Sequence, residues 1–382
     1  MTTQSDLPSS LVPSEEAGAP VQRVGTIELF FDLVFVFALT QLTSLVAHPH
    51  GPADYGKALL VFMTLMWIYD GYVWLGGNVE FGGERQRRLI FVAMGGFFVM
   101  ALSIPTVFDG GGLPYALGLL TVTSIHALMF KTSHNSSAQA IWQIAPYNFG
   151  AALLVLAAAF VHPPYDWPLW AAAVATLLSS TLLGRERQFQ LSPRHFVERH
   201  GLIIIIALGE SIVAVGSGVG KLALTGPLLG YGVLALMLSA LLWWTYFHRD
   251  DARAEHIFLH AHPKERSRMA ILGYGYGHFA MVCGIILIAA GLKVGVVHPT
   301  GHPDAVGIWN LTFGITLYLL GDVIYRRALG IGPGWVRLLL AAALLLTIPV
   351  GLIYGALPHL VLCVLLLTSL LWIEAARDPL DG

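Results

Sequence analysis

Five acidic residues stand inside long apolar stretches of the sequence and are its best candidates for chemistry: Glu28, Asp32, Asp70, Glu210 and Asp322. An ionisable side chain at membrane depth costs at least about 2.5–3.5 kcal/mol on insertion scales, so such groups are usually paired or functional. No Lys or Arg lies deep in the same stretches, which predicts that fixed positive charge does not neutralise these acids. Carboxyl groups in this setting are typical proton or cation sites.

Glu28 and Asp32 lie four residues apart, which places both carboxyls on one face of a helix. Aromatic and aliphatic side chains surround the two acids, an arrangement too costly for simple anchoring. In the alternative interpretation, Glu28 lies at the membrane surface and pairs with Arg23 or a basic loop. Asp32 then forms a hydrogen bond with Arg199 or with another neighbouring helix.

Glu210 follows a glycine that permits close helix approach. Arg199 lies eleven residues earlier, about 16 Å away along a helix, which is too far for a direct pair. This spacing predicts a proton or cation site near mid-membrane, with a protonated hydrogen bond between helices as the alternative. Asp322 is followed four residues later by Arg326, so its spacing favours an ordinary ion pair at the end of its span.

Several other polar groups bear on the site. Five of them are expected to support the acids: Arg199, His200, Ser211, Asn148 and His278. Six histidines fall in segments nearly free of Lys and Arg: His48, His50, His162, His298, His302 and His359. Sensing pH or binding a transition metal are open roles for them, but interfacial polar residues are the simpler interpretation. No metal or cofactor site is predicted, and no metalloprotease, nucleophile-elbow or phosphate-loop motif indicates a catalytic residue.

The composition identifies the elements that must position these groups. Of 382 residues, 56% are hydrophobic and 12% charged, and the mean hydropathy is +0.69. Such values exclude a soluble globular protein and predict an all-α polytopic membrane protein. Twelve stretches are long and apolar enough to span a bilayer: 26–47, 57–77, 88–108, 113–131, 138–161, 167–184, 198–218, 226–248, 268–292, 306–326, 335–355 and 358–375.

The ends of the chain differ from this apolar body. Residues 1–22 are rich in Pro, Ser and acidic groups and have no apolar core, which predicts a disordered cytoplasmic tail rather than a cleaved signal peptide. A transmembrane domain then covers 23–376, and 377–382 form a short cytoplasmic tail. Weak internal matches suggest two parallel six-helix repeats, 23–190 and 191–376. The net charge of −2 argues against a nucleic-acid partner.

Basic residues give the orientation. With twelve spans, 18 of the 21 Lys and Arg residues fall on the side that holds both termini, and the other side has Lys57, Lys221 and Lys293. Lys and Arg are retained in cytoplasmic loops, so both termini are predicted to be cytoplasmic.

Three segments carry a family resemblance: Arg23 with Glu28-Leu-Phe-Phe-Asp32-Leu-Val-Phe-Val-Phe, Glu198-Arg199-His200-Gly201, and Leu208-Gly209-Glu210-Ser211. They resemble the bacterial low temperature requirement A family over residues 22–376. The resemblance implies a multi-pass protein of the bacterial inner membrane and implies little chemistry, because the family's activity is poorly defined. The first helix also resembles a potassium-channel family with a Phe-Ser-Asp motif, but Phe31 stands here in place of that serine.

The intramembrane acids favour a secondary transporter that couples transport to protons or cations. A cation channel, a non-transporting scaffold or sensor, and a lipid-modifying enzyme are the alternatives. The bilayer is the expected environment, with a proton, cation or small molecule as substrate, and the oligomeric state is left open. Because Asp32 and Glu210 begin the two proposed halves, we expect them to face one shared polar cavity.

The topology can be tested with reporter fusions. A fusion after Lys221 and one after Arg253 are expected to report opposite sides of the membrane, because the eighth span separates them. A fusion after Lys131 is the control and should match the one after Arg253. If the fusions after Lys221 and Arg253 report the same side, the eighth span and the charge asymmetry are both wrong.

Overall fold

The computed structural model describes residues 24–79, 81–131, 137–183, 192–248, 250–301 and 304–377. These residues form helices joined by short connections, and no strand occurs among them. The all-α polytopic fold is therefore confirmed. The predicted N-terminal tail, Arg23 and residues 378–382 lie outside the described residues.

The helices follow the predicted stretches closely. In chain order they are α1 Thr26–Ala47, α2 Pro52–Gly76, α3 Glu84–Ser103, α4 Gly112–Phe130, α5 Ser137–Ala158, α6 Trp167–Leu183, α7 Pro193–Val219, α8 Gly226–Phe247, α9 Asp250–His260, α10 Pro263–Met269, α11 His278–Gly295, α12 Ala305–Leu329, α13 Trp335–Leu345, α14 Ile348–Tyr354 and α15 Ala356–Arg377. A π-helix, Ala270–Gly277, joins α10 to α11.

Within the described residues, ten helical stretches are long and apolar enough to cross a membrane. One of them combines α10, the π-helix and α11, and another combines α13 with α14. Helices α5 and α6 occupy the fifth and sixth predicted spans, so the total of twelve stays a prediction. Large apolar side chains such as Leu33, Val233 and Leu365 are exposed on the outside of the bundle. In a bilayer these side chains contact lipid, whereas in water they would be a liability.

Proline and glycine explain where two helices are interrupted. Pro349 lies in the first turn of α14 and lacks the N–H that would continue α13 across the break at Leu346 and Thr347. The π-helix contains three glycines, which are poor helix formers, and irregular turns of this kind often mark functional segments.

Glycines at every seventh position bring the last residue of the π-helix and α11 close to α12. The antiparallel pairs are Gly277 with Gly321, Gly284 with Gly314, and Gly291 with Gly307. A Cβ atom added to Gly314 would lie 2.6 Å from the backbone nitrogen of Ile288 and 2.7 Å from the carbonyl oxygen of Gly284. Only residues without a side chain allow two backbones to approach this closely.

The two parts of the chain pack in similar ways. Helix α1 packs on α3, α3 on α4 and α4 on α5, as α7 packs on α11, α11 on α12 and α12 on α13. Gly96 of α3 also contacts Gly118 of α4, like the glycine pairs of α11 and α12. This pattern supports two parallel six-helix repeats as a proposal.

The term "proximal end" is used here for the end of the bundle at which α1 begins, and "distal end" for the opposite one. Helices α2 and α7 also have termini at the proximal end, because Gly76 of α2 and His195 of α7 both lie against Glu28. The π-helix, α9 and the carboxyl end of α12 belong to the same end. Four of the five predicted acids, Glu28, Asp32, Asp70 and Asp322, are thereby brought toward the proximal end, and Glu210 lies nearer the distal end.

The glycine contact gives a stability prediction. Gly314→Ala should lower the melting temperature of the purified protein in detergent, because the added carbon forces the backbones of α11 and α12 apart, at a cost of about 1–3 kcal/mol. Gly232→Ala in α8 is the control, since no atom lies within 4 Å of its added Cβ. Equal melting temperatures for the two variants would contradict the close contact.

Candidate functional site

The candidate site is a ladder of polar contacts between α1 and α7, which run parallel to each other. Glu28 contacts His195, Asp32 contacts Arg199, and Thr40 contacts Glu210. The partners differ in residue number by 167, 167 and 170, so the two helices run parallel and their register changes by less than one helical turn along the ladder. The structure thus brings three of the five predicted acids to one interface.

The first step of the ladder is buried at the proximal end. His195 Nε2 donates to Glu28 Oε1 at 2.8 Å, and the backbone N–H of Gly25 donates to Glu28 Oε2 at 2.8 Å. Pro193 starts α7 one turn before the bundle core, which places His195 beside Glu28. Glu28 is therefore buried in the bundle and hydrogen-bonded, while its proposed partner Arg23 is outside the described residues.

The second step is an ion pair inside the bundle. Arg199 Nη2 donates to Asp32 Oδ1 at 2.7 Å, and both side chains are 1% exposed. The Tyr69 hydroxyl of α2 donates to the same oxygen at 3.0 Å. Arg199 Nη1 lies 3.9 Å from Glu28 Oε1, so the guanidinium offsets both acids. The prediction that no base neutralises these acids is wrong for Asp32, because lateral packing of α7 supplies one.

The third step lies further toward the distal end. The Thr40 hydroxyl donates to Glu210 Oε2 at 2.6 Å, and Lys293 Nζ in the last turn of α11 donates to Ser44 Oγ at 3.0 Å. Lys293 is close enough to Glu210 to interact with its charge. Ser211 Oγ is buried beside this step without a hydrogen-bond partner among the described residues.

Asp32 and Glu210 lie on the same side of the bundle but at different depths. Both contact the α1–α7 interface, and the eight residues from Asp32 to Thr40 correspond to about 12 Å along α1. A single cavity that joins the two carboxyls stays a prediction.

Asp70 lies beside the ladder, on α2. Its Oδ1 atom is 3.9 Å from His200 Nε2 of α7, too long for a hydrogen bond. His200 Nδ1 bonds to the carbonyl oxygen of Phe196 at 2.8 Å, and the His200 ring packs edge-on against Tyr274 and His278.

Asp322 belongs to a separate cluster at the proximal end, centred on Arg337 of α13. Arg337 Nη1 forms ion pairs with Asp322 and, at 3.2 Å, with Asp250, and its other nitrogens bind Glu374 at 3.0 Å. Arg326 pairs with Asp250. The predicted pair of Asp322 with Arg326 is therefore wrong, because the buried Arg337 from the next helix takes that position.

The remaining supporting residues have structural contacts. Asn148 Oδ1 accepts a hydrogen bond from Trp67 Nε1 at 3.0 Å, and His278 Nε2 accepts one from the Tyr246 hydroxyl at 2.8 Å. His359, expected in a loop, is fully buried beside Thr312 and Thr347. The described residues contain no group of three or more metal-ligating side chains, and His302 lies outside them.

Sequence reasoning missed most of the partners. His195, Tyr69 and Thr40 in the ladder, and Arg337 with Asp250 in the second cluster, were not predicted. One signal was available: His195 and Arg199 repeat on α7 the four-residue spacing of Glu28 and Asp32 on α1. For Arg337 no comparable spacing exists, because its contacts come from four different helices.

The ladder combines groups that exchange protons with groups that bind cations. Carboxyls and an imidazole can take up and release protons, and hydroxyl oxygens can pass a proton or bind a cation with a carboxylate. The arrangement can therefore carry charge along the interface of two helices or hold those helices together.

Known proteins show where this chain belongs. The family model described as bacterial low temperature requirement A protein (LtrA) matches residues 23–372. The chain is also similar to an uncharacterized protein of Rhizobium meliloti (strain 1021), with 26% identity over 317 residues that cover 78% of this chain and 76% of the relative.

The contribution of the Asp32–Arg199 pair to the free energy of unfolding can be tested with single and double variants. Arg199→Gln should destabilise the protein by about 3–5 kcal/mol, since it leaves a buried carboxylate without its cation. Asp32→Asn should also destabilise it, and the double variant should lose less than the sum of the two, as measured by unfolding in detergent.

The matched control is Arg88→Gln, which removes an exposed pair with Glu84 and should cost less than about 1 kcal/mol. Strictly additive effects in the double variant would show that Asp32 and Arg199 do not interact.

Proposed function

The chain belongs to the bacterial low temperature requirement A family, and within that family we propose that it is a secondary transporter coupled to protons or cations. Its intramembrane carboxyls are the coupling groups in this proposal. The bilayer is its environment, and we place it in the bacterial inner membrane with both termini in the cytoplasm, since 18 of 21 Lys and Arg residues fall on that side of the predicted topology.

The observation that carries the proposal is the extent of the ladder. From Glu28 to Thr40 it follows twelve residues of α1, about 18 Å, and the contact of Ser44 with Lys293 of α11 extends the polar part of α1 to about 24 Å, against a hydrocarbon thickness of about 30 Å. A purely structural ion pair needs one contact, whereas here ionisable or hydroxyl groups of α1 make polar contacts at Glu28 and Asp32 and again, beyond seven apolar residues, at Thr40 and Ser44. Such a series supports a route for charge along the α1–α7 interface.

The position of the ladder fits a transport mechanism. Helices α1 and α7 begin the two proposed repeats, and transporter sites are commonly found where two repeats meet. Breaking and reforming contacts between α1 and α7 would expose the carboxyls to one side of the membrane at a time. Asp32 and Glu210 are then the coupling groups, while Arg199 and Lys293 balance their charge.

A flux measurement tests the proposal. Purified protein in proteoliposomes is screened with monovalent cations and small metabolites, with an imposed proton gradient and without it. We expect at least one solute to accumulate only with the gradient and to be lost when a protonophore is added. Gradient-independent cation leak would indicate a channel, and absence of any flux would favour a scaffold or sensor; both outcomes overturn the proposal.

Glu210→Gln tests the role of a single carboxyl in this flux measurement. The glutamine still accepts the hydrogen bond from Thr40 but cannot exchange a proton, so gradient-driven uptake should fall at least about tenfold in folded protein. Glu84→Gln makes the same change at an exposed position and should leave uptake unchanged.

For Asp32, the combined variant Asp32→Asn with Arg199→Gln removes both charges together and limits the loss of stability. Normal uptake in both folded variants would show that these acids serve only structure.

A further inference from the structure

Asp70 differs from the other four intramembrane acids. Glu28 is bonded to His195, Asp32 to Arg199, Glu210 to Thr40 and Asp322 to Arg337. Asp70 Oδ1 is buried and has no hydrogen-bond partner among the described residues. Among the described residues, the basic atom near Asp70 Oδ1 is His200 Nε2, at a distance of 3.9 Å.

The tautomer of His200 is set by its other nitrogen. A carbonyl oxygen only accepts hydrogen bonds, so the contact with Phe196 O requires a proton on His200 Nδ1. In the neutral ring the lone pair is then on Nε2, the atom that faces Asp70. His278 has the same tautomer, because its Nδ1 contacts the carbonyl oxygen of Gly273 and its Nε2 accepts from Tyr246.

The surroundings of Asp70 disfavour a carboxylate that has no cation beside it. Asp70 lies six residues, about 9 Å, from the proximal end of α2, within a predicted membrane span, and 25% of its side chain is exposed although Oδ1 is buried. An isolated carboxylate in hydrocarbon is costly, so the group binds a proton unless a cation forms beside it.

The other ionisable groups around α2 are engaged elsewhere. Helices α1, α4, α6 and α7 pack against α2. Their ionisable groups toward the proximal end, with those of α2 itself, are Glu28 and Asp32 on α1, His126 on α4, Arg194, His195, Glu198, Arg199 and His200 on α7, and Tyr69 and Tyr72 on α2. Arg194 and Glu198 are exposed; Arg194 pairs with Glu255, and Glu198 accepts from the backbone N–H of Val24. Tyr72 donates to the carbonyl oxygen of Val122, His126 is bonded to the carbonyl oxygen of Gly71, and α6 contains no ionisable side chain.

We infer that Asp70 and His200 form a further proton-binding site, which rests on the proposed function and adds to Asp32 and Glu210 a third carboxyl that takes up and releases a proton. In the transfer, the O–H bond of the Asp70 carboxyl breaks and an N–H bond forms at His200 Nε2, which leaves a carboxylate beside an imidazolium. Release of that proton to water returns His200 to its neutral form, and uptake of another proton from water restores the Asp70 carboxyl. Unlike the four bonded acids, Asp70 changes charge without breaking an existing contact.

The site also touches the irregular part of the bundle. The ring centroid of His200 lies 5.1 Å from that of Tyr274, which is in the π-helix. It also lies 5.1 Å from the ring centroid of His278, the residue directly after the π-helix. A charge on His200 therefore forms next to the segment of α10–α11 whose backbone hydrogen bonding departs from the α pattern.

Infrared difference spectroscopy tests the inference without requiring transport. Full-length protein in lipid nanodiscs is titrated with pH, and the carbonyl band of protonated carboxyls is followed. We expect a band that is lost as pH rises in the wild-type protein and is missing in Asp70→Asn. In His200→Gln no imidazolium can form beside the carboxylate, so the band should persist to a pH higher by about one unit or more, a tenfold change in proton affinity.

The control is Asp109→Asn, the same change at an exposed position, which should leave the band in place. A band that survives unchanged in Asp70→Asn, or a midpoint that does not move in His200→Gln, overturns the inference. If Asp70→Asn does not fold, the midpoint in His200→Gln decides. The titration and the flux screen are independent, so loss of flux with an intact Asp70 band rejects transport alone, and gradient-driven flux without that band rejects only the Asp70–His200 site.

Discussion

The low dielectric of the bundle interior is the constraint on which the rest of the structure depends, and the buried pair of Asp32 and Arg199 shows its effect most directly. Neither charge is tolerable there alone, so α1 and α7 must lie side by side in the register that joins them. That register also brings Glu28 to His195 and Thr40 to Glu210. Two helices far apart in sequence are thus fixed by a requirement for charge balance rather than by apolar packing alone.

Charge is distributed unevenly along the bundle. The proximal end holds two arginine-centred clusters, one at Arg199 and one at Arg337, whereas the distal part of the ladder contains hydroxyls with Glu210 and Lys293. The Arg337 cluster joins α8, α9, α12 and α15, so it fixes the second part of the chain much as Arg199 fixes α1 to α7. The two clusters have different helix partners, and a strict repeat of the site is therefore absent from the described residues.

The helices and the acids could be predicted from the sequence because both are local properties: apolar length and an ionisable residue within it. The partners could not, since they depend on which helices pack together. Asp322 illustrates the difference, because Arg326 is its neighbour along α12 but Arg337 reaches it from α13. The sequence contains the matching four-residue spacings of Glu28 with Asp32 and of His195 with Arg199, and it also contains the glycines at every seventh position. They become informative only once α1 is known to lie beside α7 and α11 beside α12.

The glycine pairs between α11 and α12 have a mechanical meaning. Three close backbone contacts, spaced over fourteen residues, prevent the two helices from sliding or tilting against each other. The pair formed by α11 and α12 therefore moves as one rigid body in any conformational cycle. The distal ends of the two helices, at Gly295 and Ala305, then keep a constant separation in every state. This pair of helices is a natural reference frame, and distances measured from it to α1 and α7 would report which helices change position.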